Sequence, residues 1–331
     1  MNKFIRANII WIFLLVVPAL AFSKDSNAPR LGHILNLGTA SASGAYWPIG
    51  KGICDLINLE SSAKDLRCVA HQTGGSVYNI QAIRNGHLDI AIVSSNIVLD
   101  AYLAKGSFTS WGEYKDLRVI MGLYDQPVSI IINQDMTFSK LSDLEGKNIA
   151  LAKPGSGQRN YVDLIFKAAN LAYDDVEIVN LNTPQMPAAF CDGDVDVVIH
   201  GIAHPSQFYR EMIQNCEGKL FSIGHEDFVS IRNKTSIIKK ITIPKEMYVE
   251  GDASVKTFGY QAILVSTSAI PEETIKVLID TVTENLEGFF NIHPALFPFS
   301  TSQLLVDGMR VPIHKGAKDF QSILNKIKVS R

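Results

Sequence analysis

Two stretches of the chain read nearly as copies of each other: Asn85-Gly86-His87-Leu88-Asp89-Ile90-Ala91-Ile92 and Asp192-Gly193-Asp194-Val195-Asp196-Val197-Val198-Ile199. Both follow the pattern Gly, any residue, aliphatic, Asp, aliphatic, any residue, Ile. A glycine that ends a helix, followed by an apolar run entering a sheet, accounts for this order, with the aspartate bonding neighbouring backbone where the strand begins. Upstream of each copy lies a glycine-rich loop, Thr73-Gly74-Gly75-Ser76 before the first and Pro154-Gly155-Ser156-Gly157 before the second. The repetition points to two similar lobes rather than one sheet, although a glycine before a strand is common in any α/β protein.

Outward from these stretches, short apolar runs alternate with amphipathic ones. His33–Leu37, Arg67–Ala70 and Leu88–Val93 read as strands, with helices at Ile49–Leu59 and Val77–Arg84 between them. The order recurs with strands at Asn148–Ala152, Val176–Asn180 and Val195–Ile199, a helix at Arg159–Asn170 and a helix end at Pro187–Cys191. Such alternation predicts α/β architecture with largely parallel, doubly covered sheets. Gly122–Asn133, which carries Pro127, is a candidate crossover, and a second spans Gly251–Thr267 with the apolar run Phe258–Val265. A helix is expected near Pro271-Glu272-Glu273, with proline at its first turn. If the chain crosses twice, residues 31–125 and 257–331 form lobe 1, residues 126–256 form lobe 2, and a cleft lies between them.

The 331 residues are 47% hydrophobic and 19% charged, which excludes a disordered chain. Thirty-one basic against 33 acidic residues leave no cationic excess for a phosphate backbone, so no nucleic-acid partner is expected. The mean hydropathy of +0.11 owes much to one end. Lys3 and Arg6 precede an apolar run, Ile9–Leu20, that gives way to Ala19-Leu20-Ala21 and then Lys24-Asp25. These are the parts of a secretory signal peptide, residues 1–21, and the run falls short of the ~20 apolar residues of a membrane span. An uncleaved anchor is the competing reading. An exported, periplasmic location is expected, and removal of the two cations would leave a net charge of −4.

Four cysteines, Cys54, Cys68, Cys191 and Cys216, suggest two disulfides in an exported chain, with three connectivities open. Sequential pairing is favoured because each pair then belongs to one lobe. Zinc and free thiols are the alternatives, but no metal-ligand spacing accompanies the cysteines or His200, His204, His293 and His314.

Three small-residue loops that open helices carry the binding signal: Ser41-Ala42-Ser43-Gly44-Ala45-Tyr46, Thr73-Gly74-Gly75-Ser76 and Pro154-Gly155-Ser156-Gly157. At the carboxyl ends of strands such loops present N–H groups, hydroxyls and a helix dipole to an anion. Arg159 beside the third loop could fork onto a carboxylate or lie on an exposed helix. Tyr46 could donate its phenol to a ligand or pack, while Asn79 and Gln158 could face the site or solvent. Gly155-Ser156-Gly157-Gln158-Arg159-Asn160 lacks the third glycine of a dinucleotide fingerprint, and no loop ends in Gly-Lys-Ser/Thr, so neither NAD nor ATP, nor any other cofactor, is expected. No Gly-x-Ser-x-Gly elbow, paired carboxylates or reactive cysteine supports catalysis.

Taken together, Gly38-Thr39-Ala40-Ser41, Ser43-Gly44-Ala45-Tyr46-Trp47-Pro48-Ile49-Gly50, Thr73-Gly74-Gly75-Ser76-Val77-Tyr78-Asn79-Ile80, Asp143-Leu144-Glu145-Gly146-Lys147 and Pro154-Gly155-Ser156-Gly157 resemble the TAXI family. These are solute-binding proteins of tripartite ATP-independent periplasmic (TRAP) transporters. The likeness continues through Gly201–Pro205, Thr257-Phe258-Gly259, His293-Pro294-Ala295 and His314–Ala317. The resemblance implies a type II periplasmic-binding fold whose two α/β lobes close on a small organic acid, glutamate, glutamine or a dicarboxylate such as 2-oxoglutarate, and a TRAP membrane permease as partner. It implies a site of Ser43, Tyr46, Thr73, Gly74, Gly75, Ser76 and Asn79 from the first lobe and Ser156, Gly157 and Gln158 from the second, to which the residue reading adds Arg159. Cysteines at the same four places in some relatives strengthen the sequential pairing. Ser94-Ser95-Asn96 departs from the family, where an acid often stands at this strand end. A monomer is expected. A sensing module docked on a signalling partner is the alternative of another class, and an exported hydrolase is a third.

Overall fold

A computed structural model describes residues 33–322 other than 43, 61–65, 153–157, 236, 249–252, 297–303, 305 and 307–308. The expected signal peptide and the glycines of the third loop lie outside the described residues.

The chain opens with a strand, β1 (His33–Gly38), a helix, α1 (Tyr46–Glu60), and a second strand, β2 (Leu66–His71). A helix, α2 (Ser76–Arg84), leads to β3 (Ile90–Ser94) and α3 (Ser95–Tyr102). After a 17-residue strand, β4 (Leu117–Asn133), the order repeats: β5 (Asn148–Ala152), α4 (Arg159–Ala169), β6 (Glu177–Leu181), α5 (Met186–Cys191), β7 (Val197–Gly201) and α6 (Gln207–Asn215). There follow β8 (Gly218–Leu220), α7 (His225–Lys234), β9 (Lys239–Ile243), the 13-residue β10 (Val255–Thr267), α8 (Glu272–Glu284) and α9 (Leu286–Phe290). Pro271 sits at the cap of α8, one place before the helical turn expected to hold it.

Hydrogen-bonded neighbours run β2-β1-β3-β10-β4-β7-β5-β6. Each lobe is thus a parallel trio, β2-β1-β3 or β6-β5-β7, completed by one long antiparallel strand. The two long strands pair with each other from Leu117 to Val128 and from Phe258 to Thr267. One expectation is corrected here: the sheets of the two lobes form one continuous hydrogen-bonded path rather than two separate sheets. The candidate crossover Gly122–Asn133 is not a connecting loop but the greater part of β4, which pairs first with β10 and then with β7. Asp125, Gln126 and Pro127 interrupt the apolar pattern of β4 and disguise it, while the register shifts beside Ala262 and Leu264 let the ladder turn between lobes. Pro127 pairs with Gly259, where a Cβ would stand 2.2 Å from the Gln126 carbonyl oxygen, so the crossing admits only glycine.

Helices cover both faces of each trio, as the buried parallel strands require. In lobe 1, α1, α8 and α9 pack over Leu35, Leu37, Ile92 and Leu264 on one face, and α2 and α3 pack over Ala91, Val93 and Ile263 on the other. In lobe 2, α4 and α7 meet Ile149, Leu151 and Ile199, and α5 and α6 meet Ala150, Val198 and Ile131. Disulfides join Cys54 to Cys68, with Cα atoms 4.8 Å apart, and Cys191 to Cys216, with Cα atoms 5.0 Å apart. The pairing is the sequential one. Among the described residues no helix is long and apolar enough to cross a membrane.

The repeated stretch has a repeated structure. Gly86 and Gly193 take left-handed φ values of 73° and 77°. Around the first, His87 N–H donates to Ala82 O and Gly86 N–H to Ile83 O; around the second, Asp194 N–H donates to Ala189 O and Gly193 N–H to Phe190 O. Both are Schellman closures of a helix. The aspartate that follows then clasps the first strand of its own trio. Asp89 Oδ2 accepts the backbone N–H of Asn36 at 2.7 Å and its Nδ2 at 3.1 Å, while Asp196 Oδ2 accepts the same two groups of Asn148 at 2.8 and 3.0 Å. Asp89 and Asp196 return their own N–H groups to the Asn36 and Asn148 carbonyls. Hydrogen bonds to a charged group contribute about 1.5–3 kcal/mol, so Asp89→Ala and Asp196→Ala are each expected to lower the unfolding free energy by about 2 kcal/mol. Urea denaturation of both single variants and the double variant checks this, and because the clasps share no residue the losses should add.

Candidate functional site

The parallel strands of both trios end at loops that open helices. In lobe 1 the loop after β1 is tied down by Thr39, whose N–H and hydroxyl both reach His71 O, at 3.0 and 2.7 Å. The loop after β2 is tied to it in turn. The Thr73 hydroxyl lies 2.8 Å from Thr39 O and 2.6 Å from Asn79 Oδ1, and it accepts the Gly75 N–H at 3.1 Å. Asn79 is fully buried and donates both amide hydrogens, to Thr39 O at 2.7 Å and Ile92 O at 3.0 Å. It therefore supports the loop from beneath, and its place beside Ile80 and Ile83 on the buried stripe of α2 was the signal for that role. A side chain at Gly38 would meet Leu88 Cδ1 at 2.4 Å and Asn79 Oδ1 at 2.9 Å.

Gly75 caps α2 at a φ of 88° with no side-chain cap, and Gly74 is exposed beside it. The first N–H groups of α2 are thus presented at the strand ends without a side-chain acceptor from the cap. Ser76 Oγ accepts the Ser94 N–H at 3.1 Å and bonds the phenol of Tyr46. Tyr46 donates to Gln126 Oε1 of β4 at 3.2 Å, which fastens the start of α1 to the strand shared by the lobes. Burial pushes the Tyr46 phenol up to about 12.

Across from these groups, the second lobe contributes Gln158, Tyr161 and His200. Tyr161 accepts the Gly201 N–H at 2.8 Å and lies 3.4 Å from His200 Nδ1, while Gln158 Nε2 lies 3.3 Å from His200 Nε2. Tyr46 and Tyr260 both stand close enough to Tyr161 to act on its phenol electrostatically. These groups bring the two lobes to one place. Arg159 has a different setting: its Nε donates to Ala152 O at 2.9 Å, its Nη2 bonds Asn180 Oδ1, and its guanidinium lies 5.6 Å from the Tyr173 ring centre. Those contacts bind α4 to the ends of β5 and β6. Ser43, Ser156 and Gly157 lie outside the described residues. Sequence reasoning passed over Gln126, Tyr161 and Tyr260, and the polar break Asp125-Gln126 within an apolar run was the available sign of the first. Two surface pockets of about 250 Å³ lie elsewhere on lobe 2, one walled by His225, Phe228, Lys240 and Lys256 and the other by Thr137, Phe138 and Lys219. Among the described residues no cluster of His, Cys, Asp or Glu is arranged to hold a metal.

His200 and His204 are buried within lobe 2. His204 Nδ1 lies 2.6 Å from the Tyr248 hydroxyl and its Nε2 lies 3.0 Å from Ser129 Oγ, while its ring stacks on Tyr209. Loss of hydration lowers both imidazoles from 6.5 to about 3.

Two lobes of parallel βα units joined by shared antiparallel strands define the fold of periplasmic solute-binding proteins. The aliphatic sulphonate binding protein SsuA of Escherichia coli superimposes with a TM-score of 0.51 and 13% identity, over 90% of this chain and 87% of that one. The ligand-binding component of an ABC-type import system from Staphylococcus aureus matches at TM-score 0.48 and 10% identity, over 90% and 92% of the two chains. An ancestral arginine-binding protein matches at 0.48 and 13%, over 81% and 99%. Residues 37–321 match the model of the NMT1-like family, and the chain belongs to that family.

A base whose folded pKa is depressed binds fewer protons folded than unfolded, so stability falls as pH drops from about 6.5 towards 3. Each imidazole contributes up to about 5 kcal/mol across that whole window. Thermal melts between pH 7 and 4 should show a falling midpoint, and the slope should lessen in His200→Gln.

Proposed function

We propose that the protein is an extracytoplasmic solute receptor that captures a small carboxylate between its lobes and delivers it to a membrane permease. The observation that carries this reading is the N-terminus of α2, left without a side-chain cap at the carboxyl end of β2, with α4 opening after the parallel strand β5 of the opposite lobe. N–H groups so placed hold an anion without a cationic side chain. Around them we place Ser43, Tyr46, Thr73, Gly74, Gly75 and Ser76 from lobe 1 and Ser156, Gly157 and Gln158 from lobe 2 as the ligand cradle. Asn79 and Arg159 serve it by positioning the loops. Closure of the lobes would exclude water and strengthen each of these bonds.

The ligand class proposed is glutamate, glutamine or a dicarboxylate such as 2-oxoglutarate, and the partner proposed is a TRAP-type permease; both rest on the loop sequences that resemble the TAXI family. Residues 1–21 are proposed as a cleaved signal peptide, with lobe 1 formed by residues 31–125 and 257–331 and lobe 2 by residues 126–256. These divisions fall inside β4 and β10, the strands both lobes share.

A thermal-shift panel of amino acids, dicarboxylates and, because SsuA is named for aliphatic sulphonates, an alkanesulfonate tests the ligand class. A true ligand at a hundredfold excess over its Kd stabilises by about 2.7 kcal/mol. Carboxylates alone should raise the midpoint; a shift confined to the sulfonate, or none at all, would refute the class. Tyr46→Phe, which removes a phenol from the cradle, should weaken the bound carboxylate about tenfold by calorimetry with the fold intact.

A further inference from the structure

The lobes also touch away from the strands they share. Asp100 stands in α3, whose apolar face belongs to the core of lobe 1, and Asn160 stands in the first turn of α4, which packs into lobe 2. Asn160 Nδ2 donates to Asp100 Oδ2 at 3.2 Å, joining positions 60 residues apart in the chain. Neither residue is fully exposed. Burial pushes the Asp100 carboxyl above its ordinary range, with Lys105 acting the other way; burial also raises the phenol of Tyr260 on β10, and the Asp100 charge adds to that rise. The bond joins the last turn of α3 to the first turn of α4 and involves none of β4, β9 or β10.

We propose that Asp100 and Asn160 form a latch that fastens the two lobes in the arrangement seen here before any ligand arrives. The proposal rests on the solute-receptor reading and adds to it a control on opening. A carboxylate accepting from an amide makes a stronger bond than two neutral partners, and shielding from water strengthens it further. Because the two residues ride on different lobes, the bond exists only while the lobes are together, so its whole free energy biases the equilibrium towards closure. Ligand entry then requires the latch to break first, and closure over a bound ligand remakes it.

Exchanging donor and acceptor separates a latch from a mere surface contact. Asn160→Asp sets two carboxylates against each other, whereas Asp100→Asn combined with Asn160→Asp restores one acceptor and one donor in reverse order. Small-angle X-ray scattering of the purified, ligand-free protein reads the opening, with thermal melting as the check on folding. The wild type should scatter as the structure described here. Asn160→Asp should show a larger radius of gyration, with the closed population reduced about tenfold, and the exchanged pair should return to the wild-type curve. The latch is overturned if the ligand-free wild type already scatters as an open form, if Asn160→Asp leaves the curve unchanged, or if the exchanged pair stays open. No ligand enters this measurement, so a carboxylate panel that fails refutes the ligand class and leaves the latch to be judged on scattering alone.

Discussion

Everything in this protein hangs on two long strands that pass each other where there is no room for a side chain. At Gly259 the backbone of β10 comes so close to the Gln126 carbonyl of β4 that a single methyl would force them apart. That approach lets one strand of 17 residues and one of 13 serve both trios. The site follows from the same crossing, since parallel strands in both lobes end at loops that open helices around it. Gln126, at the crossing itself, accepts from the Tyr46 phenol, so the crossing also fixes the start of α1.

The lobes resemble each other more closely in their hydrogen bonds than in their sequences. An aspartate clasps an asparagine's backbone and amide in each, and a left-handed glycine with paired Schellman bonds precedes each aspartate. The clasp sets the height at which the first strand of a trio enters the sheet. It thereby also sets where that strand ends and where its loop presents N–H groups.

Much of this was legible from residue order. Alternating apolar and amphipathic runs located the six strands of the parallel trios, because a strand buried on both faces leaves an unbroken aliphatic run such as Ile90–Val93. The antiparallel strands were harder to read. Asp125, Gln126 and Pro127 break the run in β4 because the chain is leaving one lobe for the other at that point, and a polar break is the usual sign of a loop. Of the proposed cradle, Tyr46 and the Thr73–Ser76 loop stand out in the sequence as small and hydroxylated residues after a strand. The work of Asn79 and Arg159 was not, since a buried amide and a guanidinium spent on carbonyl groups look in sequence like groups available to a ligand. Gln126 and Tyr161 come close to Tyr46, and Tyr260 to Tyr161, through tertiary packing, which no local pattern records.

The shared strands impose a schedule on the growing chain. Lobe 2 draws its core from one continuous segment, from Val128 to Tyr260. The third strand of lobe 1 cannot gain its neighbour until β10 emerges, and Ser266 reaches back 177 residues to Asp89. Until then β3 keeps an aliphatic edge, Ile90-Ala91-Ile92-Val93, with half its backbone groups unanswered. The later lobe in the chain is the first that can be complete, and the earlier one must be kept from pairing with strangers while it waits.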